Sequence, residues 1–554
     1  MPEYPRPTNG AALLLLLCLF GLAWFITLDY RDLIRPDEGR YAEIAREMVA
    51  TGDWLTPRLN GFKYFEKPAL QYWATASAFS LFGINEWTAR LWTALTGFAG
   101  VLMVHFTGAR LFGRSAGFTA AAVTISSFLY VFIGHFNTLD MGLTFFLTLA
   151  LCAFLLAHSG TPTPGHRRNW MLTAWAGAAL ALLSKGLIGA LLPAGVLTAY
   201  VLWQRDWGLL KRLHLASGVA LFLAIVSPWL IAVSLANPEF FHFFFIHEHF
   251  ERFLTKVHGR YEPPWYFIPV LLIGMAPWTI TLFPAIARAF KADPDHPAGQ
   301  FQPARFLLVW CAFIFLFFSA SGSKLASYIL PVMPALALLI GRYLAIAGRR
   351  ALLWQSLPFI LPAVGVIVLA PRVIERAGPD LPAELLANYA PWLTLSGVSL
   401  LVGVLACAAF EWRGRRGAAV ISLAAAGLAA GQLPVAGHDN LTPVYSAYEI
   451  VETIRPQLKP GAPFYVVNTF DHTLPFYLGR TVTMVGYKDE LEIAISWEPE
   501  RFLPDMEAFA QAWNRDDAAF AMFNPRDWDG FRKKYHLPMV EIARDPRRVI
   551  VKKP

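Results

Sequence analysis

The sequence is poor in charge for its length. Only 16% of its 554 residues are Asp, Glu, Lys or Arg, whereas soluble proteins carry about 25%. The deficit comes from long uncharged runs, many of them close to the roughly 20 residues with which a helix crosses a bilayer. This pattern excludes an ordinary soluble globular protein and predicts a polytopic α-helical membrane protein.

Cysteine is scarce as well. The four cysteines, Cys18, Cys152, Cys311 and Cys407, all lie inside apolar runs. A disulfide framework is therefore not expected, even where loops face an oxidising compartment. In apolar runs free cysteines act as small hydrophobic residues.

The net charge of +8 has its explanation in membrane topology. Basic clusters such as 166–168 and 413–416 occur at every second connection between apolar runs, which the positive-inside rule assigns to the cytoplasm. The N-terminus is then cytoplasmic. No RNA- or DNA-binding motif is present, so a nucleic-acid partner is not expected.

The apolar runs predict about thirteen transmembrane helices. Their centres lie near residues 20, 100, 124, 148, 177, 194, 223, 275, 311, 334, 361, 400 and 426. The first run, residues 11–29, lacks a cleavage site and is interpreted as an uncleaved span. An odd number of spans places the C-terminus outside, together with two long loops near 30–90 and 236–265.

The chain divides into two predicted domains, residues 1–436 in the membrane and residues 437–554 as a soluble periplasmic α/β domain. In the second, short β-rich runs alternate with polar helical stretches. These runs are Phe464–Val467, Thr481–Val485, Ala519–Phe523 and Arg548–Lys552. No internal repeat is found, which disfavours a transporter built from inverted repeats.

The first external loop opens with the run Arg35-Pro-Asp-Glu-Gly-Arg-Tyr41. From Tyr41 onward, apolar residues recur at helical spacing, and this predicts an amphipathic helix lying in the membrane interface. Asp37 stands directly before that helix. Its carboxylate is either a functional group or an N-cap, and the spacing alone does not decide between the two.

A second motif in the same loop, Phe62–Trp73, mixes aromatic and charged residues in front of a helix. Lysine and tyrosine side chains in such a position can bind a phosphate. The alternative is an aromatic belt at the membrane interface with snorkelling lysines.

Further polar residues lie at the predicted external ends of spans. Asp140 begins the fourth span and is expected to face Asp37 across the site, and Lys185 lies in a short external turn. In the second loop, His247-Glu-His249 suggests zinc, with Glu66 as a distant partner. On a helix the two histidines point apart and no H-E-x-x-H pattern is present. A metal site is therefore not favoured.

Together, the Arg35–Tyr41 run, Phe65–Pro68 with Gln71–Trp73, and Asn137–Asp140 resemble the GT-C superfamily of lipid-linked glycosyltransferases. The resemblance covers almost the whole chain. It is strongest to bacterial aminoarabinose lipid A transferases, which are related to protein O-mannosyltransferases. It implies transfer of 4-amino-4-deoxy-L-arabinose from undecaprenyl phosphate to lipid A phosphates at the periplasmic face of the inner membrane. Polymyxin resistance would follow.

The resemblance also implies roles for individual residues. Asp37 would be the principal catalytic carboxylate and Asp140 a second one, while Lys67 and Arg252 would hold the carrier phosphate. The other expected substrate contacts are Glu38, Arg40, Tyr41, Tyr64, Tyr72 and Lys185. No cofactor is required, because the cations can stabilise the leaving phosphate, and a monomer is expected. The alternatives are another GT-C activity, such as protein O-mannosylation, and a polyprenyl-lipid transporter.

Overall fold

A computed structural model describes residues 10–160, 162–251, 262–291, 300–348 and 350–554, with the backbone alone for 10–14 and 247–251. The N-terminal part is almost entirely helical. Its helices are α1 (Gly10–Phe25), α2 (Asp37–Thr51), α3 (Leu70–Phe82), α4 (Glu86–Phe112), α5 (Arg114–Ser126), α6 (Phe128–Gly134), α7 (Leu139–His158), α8 (Pro164–Lys185), α9 (Ile188–Gln204) and α10 (Leu215–Ala236). A π-helical segment, His242–Glu251, follows α10.

The helices that continue the bundle vary in length. They are Phe267–Gly274, Thr279–Ala289, Pro303–Ala320, Met333–Ile346, Ala351–Ser356, Ile360–Leu369, Ala383–Trp412 and Arg416–Gly437. Within the described residues, eight helical segments are long and apolar enough to cross a membrane, or ten if two bent pairs each count as one span. The polytopic helical fold is confirmed, but the number of thirteen spans is not.

Short and broken helices account for the difference between the thirteen predicted spans and the eight to ten found among the described residues. Two apolar segments, Leu15–Phe25 and Ile188–Gln204, are shorter than a full span. The predicted centre near residue 275 falls at a 108° bend between Phe267–Gly274 and Thr279–Ala289. Hydropathy averages over such a break, so the sequence pattern predicts one straight span there.

Small residues let the bundle helices approach closely. A Cβ atom on Gly117 of α5 would lie 2.5 Å from the backbone N of Ala109 in α4, and one on Gly341 would lie 2.4 Å from the carbonyl O of Ala116. Glycine at these crossings allows the backbone contact on which helix association in membranes depends.

The C-terminal part is an α/β domain with one six-stranded sheet, as expected. The strands are β3 (Phe464–Val467), β4 (Thr483–Val485), β5 (Phe502–Leu503), β6 (Phe520–Phe523), β7 (Val540–Arg544) and β8 (Val549–Lys552). They are ordered β5-β4-β3-β6-β8-β7, and the first four are parallel. Strand β8 pairs antiparallel with β6 and β7. The carboxyl ends of the parallel strands therefore share one edge of the sheet.

The first long loop joins the two parts. Its hairpin, β1 (Arg58–Leu59) and β2 (Phe62–Lys63), docks on the α/β domain, where the Asn60 amide exchanges hydrogen bonds of 2.9 and 2.7 Å with the Val482 backbone. Buried residues of the loop and of the domain form one hydrophobic cluster. Because the core is shared, the division of the chain at residue 437 stays a prediction.

Helix α2 forms as predicted, but its polar face does not face water, as that of an amphipathic interfacial helix would, and its position at the membrane interface stays a prediction. All residues from Glu38 to Met48 are buried. A Cβ on Gly39 would lie 2.7 Å from the backbone of His472, and Arg46 donates a 3.0 Å hydrogen bond to the Gly479 carbonyl. The polar face of α2 is thus covered by the α/β domain instead of water.

Candidate active site

Asp37 is the first residue of α2 and keeps an accessible carboxylate. The N-cap position is occupied by Pro36, and no side-chain capping bond is formed. Arg40 Nη1 forms an ion pair with Asp37 Oδ1 at 2.7 Å. The Asp37 side chain is 47% exposed, whereas the Arg40 side chain is buried. A carboxylate in the first turn still interacts favourably with the helix dipole. The capping explanation for Asp37 is therefore not supported by this geometry.

Arg40 connects Asp37 to the α/β domain. Its Nε and Nη2 atoms donate to the two Glu490 carboxylate oxygens at 3.1 and 2.5 Å. The Glu490 Oε1 atom also lies 2.7 Å from His472 Nε2. Burial alone would raise the pKa of Glu490, but Arg40 and His472 outweigh it and lower this pKa to about 2. Glu490 is therefore an ionised group beside Asp37.

Sequence reasoning missed Glu490 and His472. No motif contains them, and they lie more than 400 residues from Asp37 along the chain. One signal was available for Glu490. It follows strand β4 in a charged turn, Lys488-Asp-Glu490, and ligands of open parallel sheets bind beyond the carboxyl ends of strands.

Three buried tyrosines lie around this ion-pair cluster. Tyr41, Tyr64 and Tyr72 are 7%, 2% and 0% exposed, and the rings of Tyr41 and Tyr72 are 6.0 Å apart. The Tyr64 and Tyr72 hydroxyls have no hydrogen-bond partner within the described part of the chain. Burial raises the pKa of both well above the usual value, and Glu66 adds to it. They are thus protonated donors, and their burial argues against an aromatic belt.

Glu66 and Lys67 lie next to the tyrosines, just before α3. The Lys67 Nζ donates to the Glu66 carbonyl at 2.7 Å, and both residues are partly exposed. The charge of Glu66 acts on both buried tyrosines. The structure therefore brings together the predicted residues Asp37, Arg40, Tyr41, Tyr64, Glu66, Lys67 and Tyr72.

Asp140 and Lys185 form a second polar pair. Lys185 Nζ donates to Asp140 Oδ1 at 2.5 Å, and both side chains are nearly buried, at 11% and 13% exposure. The same Nζ lies 4.9 Å from the ring centre of Tyr328, which the sequence did not single out. The predicted position of Asp140 opposite Asp37 stays a prediction.

Glu38 was expected to contact substrate, and the structure gives it a different position. Its carboxylate is 1% exposed and accepts hydrogen bonds from Arg31, Arg90 and the backbone N–H groups of Ile34 and Asn137. Both oxygens are engaged within the protein. Glu38 therefore anchors the start of α2 to the bundle, which fixes the position of Asp37.

The remaining residues that were expected in the site, Arg252 and the two histidines, have no described side chains. Arg252 lies outside the described residues, and for His247 and His249 only the helical backbone is described. Among the described side chains, no group of three or more His, Cys, Asp or Glu could hold a metal ion. Independence from metal stays a prediction.

A polytopic helical bundle, a buried loop helix presenting a carboxylate at its start, and an α/β domain packed against that loop define a lipid-linked glycosyltransferase of the GT-C class. Residues 11–244 match the family model of dolichyl-phosphate-mannose-protein mannosyltransferases, and residues 450–553 match the aminoarabinose transferase C-terminal domain. An undecaprenyl phosphate-α-4-amino-4-deoxy-L-arabinose arabinosyl transferase from Sodalis glossinidius is 32% identical over 95% of each chain. The chain belongs to this arabinosyl transferase family.

A second relative and a solved structure agree with this family assignment. The corresponding transferase from Shewanella sediminis is 34% identical over 68% of this chain and 67% of its own. The crystal structure of ArnT from Cupriavidus metallidurans bound to undecaprenyl phosphate superposes with a TM-score of 0.93, at 37% identity and 98% coverage of both chains. The predicted family and fold class are thereby confirmed.

Proposed function

We propose that this protein transfers 4-amino-4-deoxy-L-arabinose from undecaprenyl phosphate to a phosphate group of lipid A. The reaction takes place at the periplasmic face of the bacterial inner membrane, and it protects the cell against polymyxin and other cationic peptides by lowering surface charge. The observation that carries the proposal is the accessible Asp37 carboxylate, held by Arg40 near two buried tyrosine hydroxyls that have no hydrogen-bond partner among the described residues, in a chain of this family.

The donor is an anionic lipid, and its phosphate needs cations. Lys67 and Arg252 are proposed to bind it, since a charged hydrogen bond to phosphate contributes roughly 1.5–3 kcal/mol. The Tyr64 and Tyr72 hydroxyls are buried donors on which the charge of the neighbouring residue, Glu66, acts. An unsatisfied buried hydroxyl costs about 1–3 kcal/mol, so oxygen atoms of the donor would relieve that cost.

The proposed reaction is a direct displacement. An oxygen of the acceptor phosphate forms a bond to the anomeric carbon of the sugar, while the bond from that carbon to the carrier phosphate breaks. Undecaprenyl phosphate leaves with the electron pair, and the configuration at the anomeric carbon inverts. A phosphomonoester is mostly deprotonated near neutral pH because its second pKa is about 6, so no general base is required.

Asp37 then has an electrostatic role. Positive charge develops on the sugar ring as the carrier leaves, and a fixed carboxylate stabilises such charge. Lys67 and Arg252 stabilise the charge on the departing phosphate in the same way, and no cofactor is part of the proposal. If the acceptor were a protein hydroxyl, as in O-mannosylation, Asp37 would have to act as a base instead.

The test is mass spectrometry of lipid A from a strain that lacks its own aminoarabinose transferase but makes the donor. Expression of this protein should add aminoarabinose to lipid A and restore polymyxin resistance. Unmodified lipid A at normal protein levels would contradict the proposed acceptor. A mannosylated protein in the same cells would favour the O-mannosylation alternative.

A further inference from the structure

Arginines buried near α2 are paired with carboxylates in almost every case. The pairs are Arg31 and Arg90 with Glu38, Arg40 with Asp37 and Glu490, Arg46 with Glu43, and Arg548 with Asp471 and Asp545. Such pairing is expected, because a charge taken out of water without a partner costs several kcal/mol.

Arg35 is different. Among the described residues no carboxylate lies within 4.0 Å of its guanidinium group, and its Nε is buried without a hydrogen-bond partner. The residue lies two positions before Asp37 in the chain. A guanidinium group without a carboxylate partner among the described residues thus lies close in the chain to the candidate active site.

The surroundings of Arg35 contain further positive charge, from Arg547 and Arg548. Its amide N donates to the Tyr445 carbonyl at 2.9 Å, and Arg548 donates to the Pro443 carbonyl at 3.2 Å. Both arginines are therefore attached to the segment that follows the last bundle helix. The pKa of Arg35 is lowered, first by burial and then by repulsion from Arg547, with Asp471 opposing.

The nearby carboxylates are already used. Asp471 and Asp545 both bind Arg548, at 2.6 Å each. The backbone N–H of Arg547 donates to Asp545 Oδ1 at 2.7 Å, and within the described ranges its guanidinium group has no ion pair. Arg35 and Arg547 are therefore two neighbouring cations whose charge an incoming anion would offset, and Arg35 lies two residues before Asp37 in the chain.

We propose that Arg35, assisted by Arg547, binds the phosphate group of the lipid acceptor and holds it beside Asp37. The inference rests on the proposed function and adds the acceptor site to it. A guanidinium group suits this ligand because its planar fork matches phosphate oxygens bidentately. The cations proposed for the donor phosphate, Lys67 and Arg252, belong to other segments, so each anionic lipid has its own set.

The test uses the full-length protein in nanodiscs, with separate titrations of lipid A and of the undecaprenyl-phosphate-linked sugar. Arg35→Gln should raise the KM for lipid A by roughly 10- to 100-fold, the equivalent of one lost charged hydrogen bond, and leave the KM for the donor unchanged. Arg547→Gln should give a smaller rise. Arg35→Lys keeps the charge without the fork and should fall between wild type and Arg35→Gln.

Arg480→Gln is the matched control. In the described part of the chain Arg480 also has a buried nitrogen without a hydrogen-bond partner, but burial is the one cause that lowers its pKa there. Its replacement should leave both KM values unchanged. Thermal unfolding of each variant checks the fold, and if Arg35→Gln does not fold, the Arg35→Lys and Arg547→Gln variants decide the question.

Several results would overturn the inference. A raised KM for the donor instead of the acceptor would assign Arg35 to the carrier phosphate, and unchanged values for both would leave it a structural role. Nanodiscs with increasing phosphatidylglycerol form a further arm, and competition that abolishes the difference between variants would identify a general lipid headgroup site. Wild-type protein that binds lipid A but transfers no sugar would instead refute the proposed function.

Discussion

At the scale of single residues, Asp37 and Glu38 are adjacent carboxylates with opposite surroundings. Glu38 is enclosed by two arginines and two backbone N–H groups. Burial alone would raise the pKa of Glu38, but the two arginines outweigh this effect and lower the pKa. Asp37 has one ion pair and is about half exposed. A fully engaged carboxylate fixes structure, whereas a partly exposed one can meet a substrate. The chain thus uses Glu38 to position Asp37.

Lys67 belongs to the same scale, and its role in donor binding can be measured. Lys67→Ala should weaken binding of undecaprenyl phosphate to the purified protein by about 10-fold or more, because a charged hydrogen bond contributes roughly 1.5–3 kcal/mol. Lys63→Ala is the control, since Lys63 lies in the same loop but pairs with Glu239 at 2.5 Å. Equal affinity in the wild type and Lys67→Ala would remove Lys67 from the donor site.

At the scale of elements, α2 carries a buried acidic pair, Glu43 and Glu47. Burial raises the pKa of both, and for Glu47 the charge of Glu43 raises it further, while Arg46 opposes the shift. The Glu47 Oε2 accepts a 2.9 Å bond from Gly61, but its Oε1 has no partner among the described residues. A carboxyl group in this setting favours its protonated form.

This arrangement predicts a pH dependence of stability. Between the unfolded pKa of about 4.3 and the raised folded pKa, the folded state binds more protons, so the free energy of unfolding falls as pH rises. Glu47→Gln should remove part of this fall. Thermal unfolding at pH 5 and pH 8 measures this change in stability. The stability of Glu47→Gln relative to the wild type should be higher at pH 8 than at pH 5. An identical pH dependence in both proteins would contradict the shifted pKa of Glu47.

The elements also show what the sequence can and cannot predict. Helical spacing located α2, and the Asp37 and Lys67 motifs lie in continuous runs that a resemblance detects. The burial of α2 was not predicted, because charged residues such as Glu43 and Arg46 on one face indicate a face exposed to water. In the structure these two side chains form a 2.6 Å ion pair that neutralises both charges. Glu490, His472 and Tyr328 reach the polar clusters only through tertiary folding, which local patterns do not encode.

At the scale of the whole molecule, orientation in the membrane follows from the distribution of basic residues. The positive-inside rule places residues 165 and 414 in the cytoplasm and residues 60, 250 and 500 outside. Reporter fusions at these five positions measure the orientation in cells. A cytoplasmic reporter at residue 500 would move the α/β domain to the wrong side for a periplasmic acceptor.

The central claim is that the Asp37 carboxylate drives sugar transfer to lipid A, and the most direct measurement is product formation by purified protein. Wild type and Asp37→Asn are incubated with the undecaprenyl-phosphate-linked sugar and lipid A, and the lipid is analysed by mass spectrometry. Asn preserves the shape of the side chain and one acceptor oxygen while it removes the charge. Asp53→Asn is the control, because Asp53 accepts hydrogen bonds from the backbone N–H groups of Leu55 and Thr56 and has no ion pair among the described residues.

Wild type and Asp53→Asn should both form aminoarabinose-modified lipid A. With Asp37→Asn, product formation should fall by about 100-fold or more, the scale on which preorganised electrostatic groups act, although the variant folds and purifies normally. Full activity of Asp37→Asn at matched protein levels would contradict the account.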